Sequence, residues 1–188
     1  GRIVQVDIER AIQAGVPVAR CEIVDAIAIG CINKYSKTDY RVAPTLFFEF
    51  HGSEAGVAEQ VGEMRRITDE FGGSAFEWVT RAEDRTRLWK ARHAAYYAAK
   101  AMSPGKEVFA TDACVPISRL ADCVLETRAD VDATGLVCPI VGHVGDGNFH
   151  LVVLFDPNDP AEREKAEGLA RRVSSRAIAM GGTCTGEH

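Results

Sequence analysis

The sequence predicts an α+β fold, a largely antiparallel sheet with helices packed on it. Three observations lead there. Strand-like runs such as Thr45–Phe50 and Phe149–Phe155 mix with helical apolar stripes in no regular strand–helix–strand order, which argues against a parallel sheet. An Asp146-Gly147 pair between two apolar segments marks a hairpin, whose strands are antiparallel by construction. No Gly-x-Gly-x-x-Gly turn follows a strand, so no dinucleotide cradle is expected. At 188 residues the chain is long enough for one well-buried domain, taken as residues 1–188.

In chain order, Glu9–Gly15 reads as the end of a short helix stopped by Gly15 and Pro17, and Val18–Val24 as extended. A helix carrying Ile27, Cys31 and Tyr35 follows. Thr45–Phe50, between Pro44 and Gly52, is the clearest early strand. Ser53 can cap a helix running to about Phe71, with Val57, Val61, Met64 and Ile67 as its stripe and Gly72-Gly73 as its stop. Ala75–Thr80 is expected as a strand and Ala82–Met102 as one long, alanine-rich helix. Glu107–Pro116 is expected extended, then a helix from a Ser118 cap through Leu125. Leu136–Val141 and Phe149–Phe155 are the hairpin strands, and Ala161–Met180 is a charged helix. Gly1-Arg-Ile-Val offers no starting cap, and the chain stops at Glu187-His188 after a glycine-rich turn, so both ends read as cuts in a longer architecture.

Composition excludes several classes. With 46% hydrophobic and 26% charged residues the chain is an ordinary globular protein. A net charge of −5 and scattered arginines give no footprint for nucleic acid. No uncharged apolar run approaches the roughly 18 residues of a spanning helix, and residues 1–20 lack a signal-peptide layout. The six cysteines form no short-spaced cluster, which points to buried thiols in a reducing cytoplasm. A cytoplasmic location, at most peripheral to a membrane, is expected.

The residues with chemical potential cluster around the hairpin. If Asp146-Gly147 is a two-residue turn, Gly145 pairs with Asn148, Val144 with Phe149, and His143 with His150. Cross-strand partners share a face with Cβ atoms about 4.5–5.5 Å apart. Such an imidazole pair, joined by Glu187, would make a mixed nitrogen and oxygen site for a divalent metal, with open positions for water or substrate. His188 would then face the substrate as a proton acceptor. The bland alternative is two histidines packed in a half-buried hairpin. Asn148 is explained by the turn but can also reach a ligand. Arg92 shares a helix face with Trp89 and Tyr96. It either grips a carboxylate between those rings or, as the residues alone favour, snorkels over them at the surface. His51 and His93 carry no functional signal.

Taken together, Leu88-Trp-Lys-Ala-Arg-His93, Thr111–Leu120, Gly142-His-Val-Gly-Asp-Gly-Asn-Phe-His150 and Gly181–His188 resemble the C-terminal domain of FAD-linked oxidases, in order along nearly the whole chain. Within that family the likeness is greatest to D-lactate dehydrogenases that pass electrons to a cytochrome or similar acceptor. The resemblance implies an FAD-binding domain elsewhere, with this segment as the substrate-side cap. It implies metal ligation by His143, His150 and Glu187, Zn or Mn being the expected ions. It makes His188 the active-site base and Arg92 the arginine for the substrate carboxylate; Asn148 is taken as a second substrate-binding residue on its own reach from the turn. Relatives that act on longer dicarboxylic acids carry a lysine where Ala110 stands and a threonine where Tyr96 stands. A small D-2-hydroxy acid, D-lactate above D-2-hydroxyglutarate, is therefore expected, with a cytochrome or quinone as electron acceptor and a homo-oligomer as a possible assembly. The alternative is a non-catalytic metal- or carboxylate-binding module. A purely structural domain, with both histidines serving the core, is a third.

Overall fold

The computed structural model describes residues 15–73 and 76–184. The helix expected over Glu9–Gly15, the expected metal ligand Glu187 and the expected base His188 lie outside those residues, Gly15 apart. The strands are β1 (Val18–Val24), β2 (Thr45–Phe50), β3 (Glu107–Ala110), β4 (Ala113–Cys114), β5 (Ile140–Gly142), β6 (Asn148–Phe155) and β7 (Thr183–Cys184). The helices are α1 (Ala26–Ser36), α2 (Glu54–Glu70), α3 (Ala82–His93), α4 (Ala95–Ala101), α5 (Ile117–Thr134) and α6 (Pro160–Ala179).

The seven strands form one sheet in the order β2-β1-β5-β6-β4-β7, with β3 also paired to β6. Every pairing is antiparallel. Alternation along the strands gives each face its own core. On one face Cys21, Ile23, Ile140, Phe149, Leu151 and Val153 meet Leu120, Cys123 and Val131 of α5 and Leu169 and Val173 of α6. On the other, Val24, Phe47, Val141, Val152 and Leu154 meet Ala28, Ile29 and Ile32 of α1, Ala91 of α3 and three alanines of α4. Alanine's short side chain lets α4 lie close on the sheet. Asn148 and His150 share the parity of Val152 and Leu154, so they continue that second face beyond the apolar contacts.

Local signals set many boundaries correctly. Asp25 caps α1 by accepting a hydrogen bond from the Ala28 amide at 2.8 Å, and Ser53 caps α2 through the Gly56 amide at 3.2 Å. Val61, Met64 and Ile67 are the buried stripe of α2. Asp159 caps α6, accepting from the Ala161 amide at 2.9 Å.

Elsewhere tertiary packing overrules the local pattern. Residues 76–80, expected within a strand, have no regular structure, and Trp78 and Val79 are exposed; no described strand offers them a ladder. The single helix expected over 82–102 breaks at Ala94 (φ −77°, ψ −4°) into α3 and α4. The bend lets α4 bury Ala95, Ala98 and Ala99 while the last turn of α3 delivers Arg92 to the sheet. The helix expected to be capped by Ser118 and to end near Leu125 begins after Pro116 and runs to Thr134. Its stripe continues through Thr127 and Val131 within a polar run, and Gly135 stops it at φ 74°.

The extended run expected over 107–116 is split between β3 and β4 at Thr111-Asp112. There the Thr111 amide donates to the Leu151 carbonyl at 3.0 Å, and the Leu151 amide donates to Thr111 Oγ1 at 3.1 Å. A hydroxyl thus replaces the strand's own carbonyl as acceptor, and the Thr111 carbonyl is released for another donor. The first hairpin strand is also shorter than expected, Ile140–Gly142.

Candidate functional site

The hairpin that carries the histidines is built differently from the expected two-residue turn. Ile140 pairs with Leu151 and Val141 with His150, which sets His143 opposite Asn148, two residues from the expected register. Val144–Asp146 forms one 3-10 turn, and Gly147 closes it in the left-handed region at φ 76°. The Asp146 and Asn148 amides both donate to the His143 carbonyl, at 3.0 and 3.2 Å. Two tertiary restraints favour this loop. The Val115 amide donates to the Gly147 carbonyl at 2.9 Å, tying the loop to the end of β4, and Val144 is fully buried in the core. Gly142 permits the strands to meet, since a Cβ there would lie 2.6 Å from the Asn148 carbonyl oxygen.

A shift of two residues preserves parity. His143 and His150 therefore still share a face, as diagonal neighbours, with ring centroids 5.5 Å apart and planes at 83°. Each ring is anchored through Nδ1. His150 Nδ1 lies 3.1 Å from the Thr111 carbonyl, the group released at the β3–β4 break, and 3.4 Å from Asp112 Oδ1. His143 Nδ1 lies 2.8 Å from Glu22 Oε1. A ring that donates from Nδ1 carries its lone pair on Nε2, the arrangement that readies imidazole for a metal.

Glu22 is the residue that sequence reasoning missed. The pairing of Ile23 with Gly142 brings it beside His143, and it is 2% exposed. Its second oxygen, Oε2, accepts from Arg92 Nη2 at 2.6 Å. Burial by itself would raise the Glu22 carboxyl, but the His143 hydrogen bond and the Arg92 charge more than offset it and hold the group below the usual 4.5. The same bond raises His143 above its ordinary 6.5, against the opposing effect of burial. One signal was available: Val18–Val24 becomes apolar toward its end, and a carboxylate between Cys21 and Ile23 in such a strand needs a partner.

Arg92 is not the surface arginine snorkelling over Trp89 and Tyr96 that the residues alone favour, and its guanidinium is paired with a carboxylate of the chain itself. It is 6% exposed and paired with Glu22. The cation over Trp89 is Arg20, with Cζ 4.7 Å from the ring centroid. Among the described residues Arg92 Nε is buried with no hydrogen-bond partner. Asn148 Nδ2 donates to Asp112 Oδ1 at 2.6 Å and to the Ala113 carbonyl at 3.3 Å. Both amide hydrogens are thus engaged, so a ligand would meet an acceptor there. A cavity of about 380 Å³ opens beside Glu22 and His143, lined also by Val18, Arg20, Phe48 and His93 among others.

Among the described residues no group of three or more His, Cys, Asp or Glu is arranged to hold a metal ion. The two imidazoles nevertheless suit half of such a site, because both rings are oriented from behind and share a face. Glu187, the expected third ligand, lies outside the described residues, as does His188.

The sheet is antiparallel throughout, carries helices on both faces and ends in a polar strip, an α+β architecture. The chain belongs to the family described as FAD linked oxidases, C-terminal domain, whose model matches residues 4–188. It is 50% identical over 94% of its length to "Probable D-lactate dehydrogenase, mitochondrial" of Danio rerio, of which it covers 36%. It is 41% identical over 93% of its length to "D-lactate dehydrogenase [cytochrome], mitochondrial" of Arabidopsis thaliana, covering 31% of that protein. The chain thus spans roughly a third of these relatives. Among solved structures, p-cresol methylhydroxylase with substrate bound matches with a TM-score of 0.60 at 14% identity, over 97% of this chain and 42% of that one. That likeness shows the fold. No helix among the described residues is long and apolar enough to cross a membrane.

Proposed function

We propose that this chain is the substrate- and metal-binding cap of a flavin-dependent dehydrogenase that oxidises a small D-2-hydroxy acid, D-lactate to pyruvate. The observation that carries the reading is the shared face of His143 and His150 beside the buried Glu22–Arg92 pair. The names of the relatives at 50% and 41% identity support the substrate class, and the second supports an acceptor such as a cytochrome, a quinone being the other candidate.

FAD, held mainly by residues outside this chain, would supply the hydride acceptor when bound, and a divalent ion such as Zn or Mn would supply Lewis acidity at the substrate hydroxyl. The chain's own residues do the rest. His143 and His150, anchored from behind at Nδ1, would hold the ion through Nε2, with Glu187 as the third ligand. His188 takes the hydroxyl proton on its imidazole nitrogen. Arg92, whose buried Nε lacks an acceptor among the described residues, receives the substrate carboxylate. Asn148, its amide hydrogens engaged by Asp112 and the Ala113 carbonyl, flanks the substrate. Tyr96 and Ala110, in place of the threonine and lysine of relatives that take dicarboxylic acids, restrict the acid to a short one.

The test is D-lactate oxidation with an artificial electron acceptor, in a protein of the relatives' full length. His143→Ala and His188→Ala should each abolish most turnover, and His143→Ala should also remove the bound metal. D-2-hydroxyglutarate should be a poor substrate. Unchanged turnover in His188→Ala would make the chain a binding module.

A further inference from the structure

We propose that Glu22 is the positioning residue of this site, a single buried carboxylate that aligns the imidazole of His143 with the guanidinium of Arg92. The proposal rests on the functional reading above and adds to it the element that sets the geometry. The two groups it joins come from distant parts of the chain, 121 and 70 residues from Glu22. Each takes a different oxygen, Oε1 to His143 at 2.8 Å and Oε2 to Arg92 at 2.6 Å.

Three observations carry it. First, Glu22 sits on a strand paired on both edges, to β2 and β5, with Cys21, Ile23 and Val24 buried around it. Its side chain is 3% exposed and has little freedom to exchange partners. Secondly, a buried ion pair adds little net stability over well-packed apolar side chains of similar size. Stability is therefore a weak reason for placing three polar groups there, and the geometry they impose is the stronger one. Thirdly, the cluster is incomplete by itself, because Arg92 Nε remains without a partner among the described residues. Glu22 holds one edge of the guanidinium and one nitrogen of the imidazole. His143 thereby keeps its lone pair on Nε2, and Arg92 is held to one orientation while retaining an unmet donor.

Carboxylates placed behind ligating imidazoles orient the ring and fix its tautomer, and their loss weakens metal binding by about 10- to 100-fold. Glu22 is in that place for His143, and its second oxygen extends the constraint to the arginine.

The test uses Glu22→Gln and Glu22→Asp in a protein of the relatives' full length. The readouts are the ¹⁵N shifts of the His143 ring at alkaline pH, zinc affinity by chelator competition, and KM and kcat for D-lactate. Unaltered protein should show the Nδ1–H tautomer of His143. Glu22→Gln should lose that preference, bind zinc about 10- to 100-fold more weakly, and raise KM by a larger factor than it lowers kcat. Glu22→Asp keeps the charge beside Arg92 but cannot span both partners, so it should fold and show the same changes to a lesser degree. A folded Glu22→Gln protein with unaltered tautomer and zinc affinity would overturn the proposal. If that variant does not fold, an unaltered Glu22→Asp protein overturns it. Should unaltered protein bind no zinc, the metal assignment fails alone, because the tautomer comparison still decides the role of Glu22.

Discussion

His143 and His150 stand 5.5 Å apart, ring to ring, although neither is the other's cross-strand partner. Their proximity is diagonal and depends on a four-residue loop, residues 144–147, that only Gly147 can close. The site is therefore sensitive to changes that touch neither ring.

Gly147→Ala is the sharpest of these. It places a Cβ at φ 76° and drives it against the Val115 carbonyl oxygen. The left-handed backbone alone costs about 1–2 kcal/mol, and the collision displaces the tie between the loop and β4. A loss of roughly 2–4 kcal/mol is expected, read as a fall in Tm together with weaker metal binding. A Tm within a degree of the unaltered protein would contradict the loop geometry.

Thr111→Val preserves shape and removes one acceptor. The Leu151 amide then has no Oγ1 to meet in a buried strand, which costs about 1–3 kcal/mol. The Thr111 carbonyl, free to recover its strand partner, should also leave His150. Thr111→Ser keeps the hydroxyl and should lose much less. Chemical denaturation of the pair separates the hydroxyl's effect from that of the methyl group.

Arg92→Ala should damage both stability and capture of substrate. Glu22 would be left as a buried charge with one partner fewer, a loss of about 3–5 kcal/mol. Losing a charge-assisted bond to the substrate carboxylate, about 1.5–3 kcal/mol, lowers kcat/KM roughly ten- to a hundredfold. The double change Glu22→Leu with Arg92→Met should regain most of the stability and none of the activity. A double variant that recovers turnover would remove Arg92 from the substrate site.

Asp130 tests the opposite side of the molecule. It joins α5 to α6 through Arg172 Nη2 at 2.8 Å and Arg176 Nη2 at 3.0 Å. The Arg172 hydrogen bond, helped by Arg176 and opposed by partial burial, holds its carboxyl below the ordinary 3.8. A group depressed in the folded state stabilises that state above its unfolded pKa and loses the effect as pH falls through the folded one. Asp130→Asn should therefore be less stable by about 1 kcal/mol near neutral pH. The difference should be constant down to the usual carboxylate range and shrink at lower pH. Denaturation midpoints for both proteins between pH 2 and 7 provide the check; a gap that widens toward acid would reverse the sign.

The sequence alone determined the antiparallel α+β class, the ends of β1, β2 and α2, and the family, because each is written in short-range pattern: alternation, a capping serine, a glycine stop, an ordered set of motifs. It also placed His143 and His150 on one face, since parity survives a shift of two residues. It could not set their register, which depends on a hydrogen bond from Val115 in another strand and on the burial of Val144. It could not find the break at Ala94, where one helical pattern is divided between two surfaces, nor the continuation of α5 through a run of charges. Least of all could it pair Glu22 with Arg92, 70 residues away. A carboxylate between apolar strand residues signals a partner without saying which, and a lone arginine in a helix reads as a surface residue. Only the packing of α3 against the sheet buries both and makes each the condition for the other.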